Sequence, residues 1–372
     1  MTDSALLRSA LLREDKVRAS LCKLYEACGY RAFRMRKFEE YSLYLENQSF
    51  LTSKYVITFN DLDGRLLALK PDVTLSIVKH TKADKDRSEK LYYSESVYRV
   101  DRRTKEYKEI KQVGLELLGR VDSVAMLEVA TLALKSLEQL DKNYVVEFSH
   151  MGFLSDLLVS MGVVSFERRR EILECIGSKN ASAVMNLAKE SGVTDENARL
   201  LAELVEYCPD YKEVIEKAKK LAVTKELVKD ITELEVLFIT LEKAGYSKNI
   251  MLDFSIISDL DYYNGIVFRG YIPSVKHQYV LSGGRYDRLA NKFKEGIGAL
   301  GFAIYVSELA QKNSSDDTDV DVVLLYNEYD SPDAVEKYAW ELRSQGLSVL
   351  TDTKIPSDIT YKCVKKVGNK DA

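Results

Sequence analysis

The sequence predicts an α+β chain: an antiparallel sheet with a small-molecule pocket on one face, a helical insertion, and a small C-terminal α/β unit. Three observations carry this. Residues 249–305 alternate short apolar runs with polar residues, the pattern of strands, and hold Gly265, Gly270, Gly283, Gly284, Gly296, Gly298 and Gly301 out of 18 glycines in the chain. Glycine in a strand marks a bulge or a place where something approaches the backbone closely. Tyr262, Tyr263, Tyr271, Tyr279 and Tyr286 add hydroxyls and flat faces to the same stretch. Residues 165–245 are instead dominated by Leu, Ala, Glu and Lys, with Pro209 their only proline, and fit four or five helices inserted between two parts of one sheet.

Taken in order, residues 5–28 place apolar side chains at helical spacing, and Gly29 stops the helix. Tyr30–Met35 and residues 54–60 read as strands, and Asp61-Leu-Asp-Gly64 turns the second into Arg65–Leu69 as a hairpin. Pro71 cannot extend a central ladder, and Asp72 is an N-cap candidate for a helix from Val73 to His80. Asp72 and Thr74 either serve that cap alone or hold an ammonium group at the sheet edge. Residues 90–100 form a strand with Arg99 near its end, and residues 107–119 return. On the return strand Gln112, Gly114 and Glu116 share a face, the glycine leaving room for a ligand between two polar side chains. The opposite face, with Lys111, Val113, Leu115 and Leu117, is more apolar and suits the core.

Residues 122–141 form an amphipathic helix, Tyr144–Phe148 a strand, and Gly152–Met161 another helix. After the glycine-rich stretch, Ile304–Gln311 reads as a helix and Asn313–Asp319 as a polar linker. The C-terminal unit reads as a strand at Val320–Tyr326, a helix from Ser331 to Ser344 with Pro332 in its first turn, a strand at Leu347–Thr351, and a last short helix at Ile359–Val367. About 55 residues make a marginal core, so this unit is expected to pack on a neighbour.

The net charge of −4 gives no electrostatic footprint for nucleic acid, and no apolar run approaches a membrane span. The N-terminus lacks the pattern of a signal peptide. Five scattered cysteines with no CxxC pair read as reduced thiols, so a cytoplasmic location is expected. Three histidines with no ligand spacing give no reason to expect a metal, and no cofactor is expected.

Leu260-Asp-Tyr-Tyr-Asn-Gly-Ile-Val-Phe268 and Ser282-Gly-Gly-Arg-Tyr-Asp-Arg-Leu289 are similar to the two histidine-site motifs of the histidyl-tRNA synthetase group. Lys70-Pro-Asp-Val-Thr74 and the segment from Tyr98-Arg99 to Gly119 match its remaining pocket elements. The resemblance covers residues 10–310, and more weakly 320–368. It implies a class II aminoacyl-tRNA synthetase-like fold, with residues 1–149 and 246–312 as core, 150–245 as helical insertion, and 313–372 as a truncated anticodon-domain-like unit. It also implies a histidine pocket drawn from Asp72, Thr74, Arg99, Gln112, Glu116, Tyr262, Tyr263, Gly283, Gly284 and Arg285. Glu116 or a tyrosine would accept the imidazole N–H, and Asp72, Thr74 and Gln112 would receive the ammonium. Arg99 would meet the carboxylate, Gly283 and Gly284 would let the ring approach backbone, and Tyr263 would close one side.

The departures point away from catalysis. Synthetases of this group carry arginine where Ser258 stands, and end their third motif in an arginine that clamps ATP. Residues 299–308, Ala-Leu-Gly-Phe-Ala-Ile-Tyr-Val-Ser-Glu, contain none. The loop from Arg102 to Lys108 is one residue short and lacks the expected glycine, the proline that usually ends the first motif's helix is absent, and the C-terminal unit is short. Losing two cations positioned on a phosphoryl group should remove several powers of ten in rate. The chain therefore resembles the regulatory-subunit family of ATP phosphoribosyltransferase. That resemblance implies a non-catalytic, self-dimerising subunit that binds a short-form catalytic chain in a hetero-octamer and takes part in histidine feedback. The competing readings are a diverged, active histidyl-tRNA synthetase and a free-standing amino-acid-binding paralogue.

Overall fold

A computed structural model describes residues 3–51, 55–100, 104–257, 262–275, 279–309 and 318–367. Residues 18–309 form one compact unit, and residues 310–372 with the first 17 form a second.

The larger unit is built on an eight-stranded sheet. Its strands are β1 (Arg31–Ala32), β5 (Glu89–Val100), β6 (Tyr107–Gly119), β7 (Val145–His150), β8 (Ile250–Leu252), β9 (Ile266–Tyr271), β10 (Leu281–Arg285) and β11 (Gly298–Tyr305), in the spatial order β1-β5-β6-β11-β10-β9-β7-β8. Every pairing from β5 through to β7 is antiparallel; the two edges, β1 on β5 and β8 on β7, are parallel. A second sheet joins β2 (Phe38–Glu40), β3 (Thr58–Asn60) and β4 (Leu66–Leu69) in the order β2-β4-β3. The expected hairpin is present. The Asp61 carboxylate accepts the backbone N–H groups of Asp63 and Arg65, and Gly64 takes the positive φ of 80° that the turn requires.

The expected strand over Tyr30–Met35 is reduced to β1, because only Arg31 and Ala32 find ladder partners on β5. The expected helix from Ile304 starts later: Ile304 and Tyr305 still pair with β6, so β11 ends at Tyr305.

α4 (Ser123–Glu138) and the C-terminal part of α1 (Asp3–Ala27), around Tyr25, pack on one face of the large sheet. The Tyr25 ring meets the Phe302 ring at 6.0 Å, and its hydroxyl shares a 3.0 Å hydrogen bond with Ser136. α2 (Tyr41–Leu45) and α3 (Thr74–His80) follow β2 and β4. Between β7 and β8 run α5 (Met151–Ser160), α6 (Phe166–Gly177), α7 (Ala181–Glu190), α8 (Asp195–Glu203), α9 (Tyr211–Leu221) and α10 (Lys225–Lys243). The last five of these are the helices read in the insertion. Each opens on a side-chain cap: Ser165, Asn180, Thr194, Asp210 and Thr224 accept backbone N–H groups of the first turn. These local signals explain why the segment was legible as helices. The unit closes with α11 (Asp287–Phe293) and α12 (Val306–Leu309).

In the second unit β12 (Val320–Leu325) lies between β13 (Val349–Asp352) and β14 (Tyr361–Lys366), all parallel, with α13 (Pro332–Ser344) as the crossover. The last element corrects the sequence reading, which made it a helix. Short runs carry both periods ambiguously, and here pairing along the open edge of β12 decides for strand.

Candidate functional site

The register of the large sheet assembles the site. Glu116 on β6 stands opposite Gly301 on β11, Gly301 opposite Gly284 on β10, and Gly284 opposite Val267 on β9. Cross-strand partners share a face, so glycines from two strands leave a trough beside Glu116. The carboxylate fills part of it: a β-carbon at Gly301 would overlap Oε2 of Glu116 and the Leu115 carbonyl oxygen.

Glu116 is 2 % exposed. Thr74, in the first turn of α3, donates its hydroxyl to Oε1 at 2.8 Å, and the Tyr286 hydroxyl donates to Oε2 at 2.5 Å. Burial pushes the carboxyl up to about 8 in spite of these two bonds, and Asp72 nearby adds to the rise. The rings crowd around it. Tyr262 lies 4.5 Å from Tyr263 and 5.7 Å from Tyr286, between centroids. Burial holds the hydroxyls of Tyr93, Tyr262, Tyr263 and Tyr286 well above their ordinary range.

Asp72 accepts the Leu75 N–H at 2.8 Å and so answers a first-turn donor, but the helix begins at Thr74 and its N-cap position is Val73, one residue later than expected. Its other oxygen is 3.9 Å from the Arg99 guanidinium, whose Nε donates to the Pro71 carbonyl at 2.8 Å. Burial raises the Asp72 carboxyl, opposed by Arg99 and by that helix N–H. Arg99 is thus a cation tied to the site's own backbone and carboxylate. Gln112 is buried on the Glu116 face, opposite Tyr305 on one side and Glu95 on the other.

Asp72, Thr74, Arg99, Gln112, Glu116, Tyr262, Tyr263 and Gly284 therefore converge. Gly283 and Arg285 do not: alternation along β10 turns them to the opposite face. Gly283 packs on Phe302, and Arg285 donates to Asp287 at 2.8 Å with Glu233 3.6 Å away. Two further expectations are corrected. The space over Gly114 holds the Tyr93 ring, within 2.6 Å of where a β-carbon would stand, and the space over Gly284 holds the Tyr263 ring at 2.7 Å. The face of Gln112 and Glu116 is as buried as the apolar face beside it. Ser258 and residues 101–103 lie outside the described residues.

Sequence reasoning missed Tyr93 and Tyr305 as site residues and did not pair Tyr286 with Glu116. Tyr305 is pushed up to about 12 by burial and sits 5.9 Å from the Tyr279 ring. Period-2 alternation puts Tyr93 on one face of its strand, but only the register shows that it lies over Gly114. A second cluster was also unforeseen: His150, Asp230 and Glu233 bring their ligand-type atoms within 4.8 Å of one another. His150 caps α5, its Nδ1 accepting the Phe153 N–H at 2.9 Å. The neutral ring then carries its proton on Nε2, 3.6 Å from Glu233, which disfavours a metal at that nitrogen. Among the described residues no helix is long and apolar enough to cross a membrane.

The antiparallel sheet, with a carboxylate buried among tyrosines beside two glycine-bearing strands, is that of a class II synthetase-like protein. The chain belongs to the histidyl-tRNA synthetase family, whose model matches residues 4–309. Among its relatives, the ATP phosphoribosyltransferase regulatory subunit of Bacillus cereus (strain ATCC 10987 / NRS 248) is 29% identical over 303 residues, covering 80% of this chain and 71% of that protein. The protein of the same name from Bacillus thuringiensis subsp. konkukian matches to the same extent. An ATP phosphoribosyltransferase regulatory subunit/histidyl-tRNA synthetase from Bacillus halodurans superposes with a TM-score of 0.74 at 25% identity, covering 95% of this chain and 93% of that one. The histidyl-tRNA synthetase of Nostoc sp. PCC 7120 shares the fold at a TM-score of 0.73 and 18% identity, covering 92% of this chain and 83% of its own.

Proposed function

We propose that this chain is a non-catalytic regulatory subunit of ATP phosphoribosyltransferase, the enzyme of the first step of histidine biosynthesis. It activates a short-form catalytic chain and takes part in feedback by histidine. The observation that carries the reading is the match over 80% of the chain to proteins named as that subunit. The residues support it. Glu116 is buried with Thr74 and Tyr286 bonded to it, while residues 299–308 hold no arginine and Tyr305 stands at the end of β11. Residues 1–149 and 246–312 act as the synthetase-like core that dimerises, 150–245 as an insertion and 313–372 as a C-terminal unit. The complex is a cytoplasmic hetero-octamer.

Co-expression with a short catalytic chain tests this. The two should co-elute at micromolar concentration, and the weak activity of the catalytic chain alone should rise at least tenfold. Failure to co-elute overturns the proposal, as does histidine-dependent exchange of pyrophosphate into ATP at synthetase-like rates.

Histidine is the proposed ligand of the Glu116 pocket. Thr74, Gln112 and Asp72 would receive its ammonium and Glu116 its imidazole N–H, with Arg99 as the cation for its carboxylate. Leaving a buried imidazole N–H without its acceptor costs roughly 1–3 kcal/mol, so Glu116→Ala should weaken histidine binding about tenfold in titration calorimetry. Equal binding to both proteins would remove the pocket from sensing. Because Tyr93 and Tyr263 cover two of the glycines, binding is expected to move at least one of these rings, and Tyr263, only partly buried where Tyr93 is buried, is the freer of the two.

A further inference from the structure

We propose that Lys179 of the helical insertion, ion-paired with Asp253, latches the Tyr263 ring over the pocket, so that ligand and latch oppose each other. The proposal rests on the reading of histidine as the ligand of the Glu116 pocket.

The latch begins at the turn between α6 and α7. Lys179 takes a φ of 55°, the left-handed conformation in which the residue after a helix is usually glycine. Backbone bonds of 2.9 Å close the turn, from the Lys179 N–H to the Ile176 carbonyl and from the Asn180 N–H to the Cys175 carbonyl. The backbone disfavours a lysine here, and the gain lies in its side chain. The Lys179 ammonium reaches Asp253, just past the end of β8, at 2.7 Å. Exposed ion pairs contribute little, but the Asp253 side chain is 11 % exposed, and its other oxygen accepts the Ser255 N–H at 2.8 Å. Burial would raise this carboxyl; Lys179 and Ser255 together hold it below its ordinary range.

Residues 253–257 connect the latch to the pocket. Gly177, the last residue of α6, lies against them: a β-carbon there would stand 3.3 Å from the Ile257 side chain. Arg269 on β9 donates to the Ile257 carbonyl at 3.0 Å. Ile256 packs with Met151 and Val267 in a small apolar cluster, and Ile257 and Tyr263 pack against it. Val267 is the cross-strand partner of Gly284, and the Tyr263 ring covers Gly284, 2.7 Å from where a β-carbon would stand. Packed side chains and hydrogen bonds thus run without a break from Lys179 to the ring over the trough.

The sign of the coupling follows from where that ring can go. Tyr262 stands 4.5 Å from it, and the apolar cluster backs it. To uncover Gly284 the ring presses on Ile256 and Ile257, and these yield when residues 253–257 shift against α6. The latch opposes that shift and so opposes ligand entry. Linkage makes the effect reciprocal: a ligand that displaces Tyr263 loosens the turn at Lys179. Lys179 is half exposed, so the occupancy of a buried pocket is carried to the surface of the insertion.

Titration calorimetry with histidine on the full chain tests this with two variants. Lys179→Gly suits the left-handed backbone and removes the ion pair; Lys179→Arg keeps the pair. The glycine variant should bind histidine about threefold tighter or more, and the arginine variant as the wild type does. In an Asp253→Asn background Lys179→Gly should add nothing further. In the wild type, saturating histidine should speed amide exchange in residues 177–180 about threefold or more, a response that a merely structural ion pair does not give. Equal or weaker binding by Lys179→Gly overturns the latch and leaves the histidine pocket standing, and so does unchanged exchange at residues 177–180. No heat from the wild type or from Lys179→Gly at millimolar histidine overturns the reading of the pocket itself, and the latch with it.

Discussion

Gly301→Ala should destabilise the larger unit by about 3 kcal/mol or more, at or above the upper end of ordinary overpacking costs. The methyl group would overlap a Glu116 carboxylate oxygen and the Leu115 carbonyl oxygen. The first is the end of a side chain pinned by Thr74 and Tyr286. The second is backbone of the neighbouring strand, and moving it opens the β6–β11 ladder that runs from Gly119 to Gln112. Thermal unfolding should show a fall of several degrees. Adding Glu116→Ala should recover only part of the loss, since the carbonyl clash remains. An unchanged melting temperature in Gly301→Ala would mean that β6 and β11 are not packed in this register.

Glu116→Gln should have its largest effect at alkaline pH, and in the stabilising direction. The carboxyl rises to about 8 in the folded chain from an ordinary value of 4.5. Below pH 4.5 the group is protonated in both folded and unfolded chains. Between 4.5 and 8 the unfolded chain gives up a proton that the folded chain retains, so stability falls as pH rises; above 8 the loss is complete. At about 1.4 kcal/mol per unit of pH, the whole interval amounts to roughly 5 kcal/mol. Glutamine copies the neutral acid: its amide can donate to one neighbouring hydroxyl and accept from the other. The melting temperature of the wild type should therefore drop between pH 5 and 8.5 by several degrees more than that of Glu116→Gln. Parallel curves for the two proteins would show that Glu116 is ionised in the fold, with a cation or water answering it.

Glu116 also shows where sequence reading stops. Its place on the hairpin, its shared face with Gln112 and the bond that Asp72 accepts from the first turn of α3 follow from period-2 alternation and from residues within a few positions of one another. The five capped helices between residues 166 and 243 are legible for the same reason: each begins at a Ser, Thr, Asn or Asp whose partner is the N–H two or three residues on. The glycine-rich motifs gave the family, because they keep residue types that only a close backbone approach demands. Which group makes that approach is another matter. Glu116 over Gly301, Tyr93 over Gly114 and Tyr263 over Gly284 are cross-strand or loop-to-strand relations. The turn of Arg285 away from the site depends on where β10 enters the sheet, and the strand β14 exists because β12 offers it an open edge. A slip of one residue in any of these pairings would send every side chain of the strand to the other face. Local sequence sets the period of a strand; its register against strands far away in the chain is set by packing both faces at once, and only the folded sheet decides it.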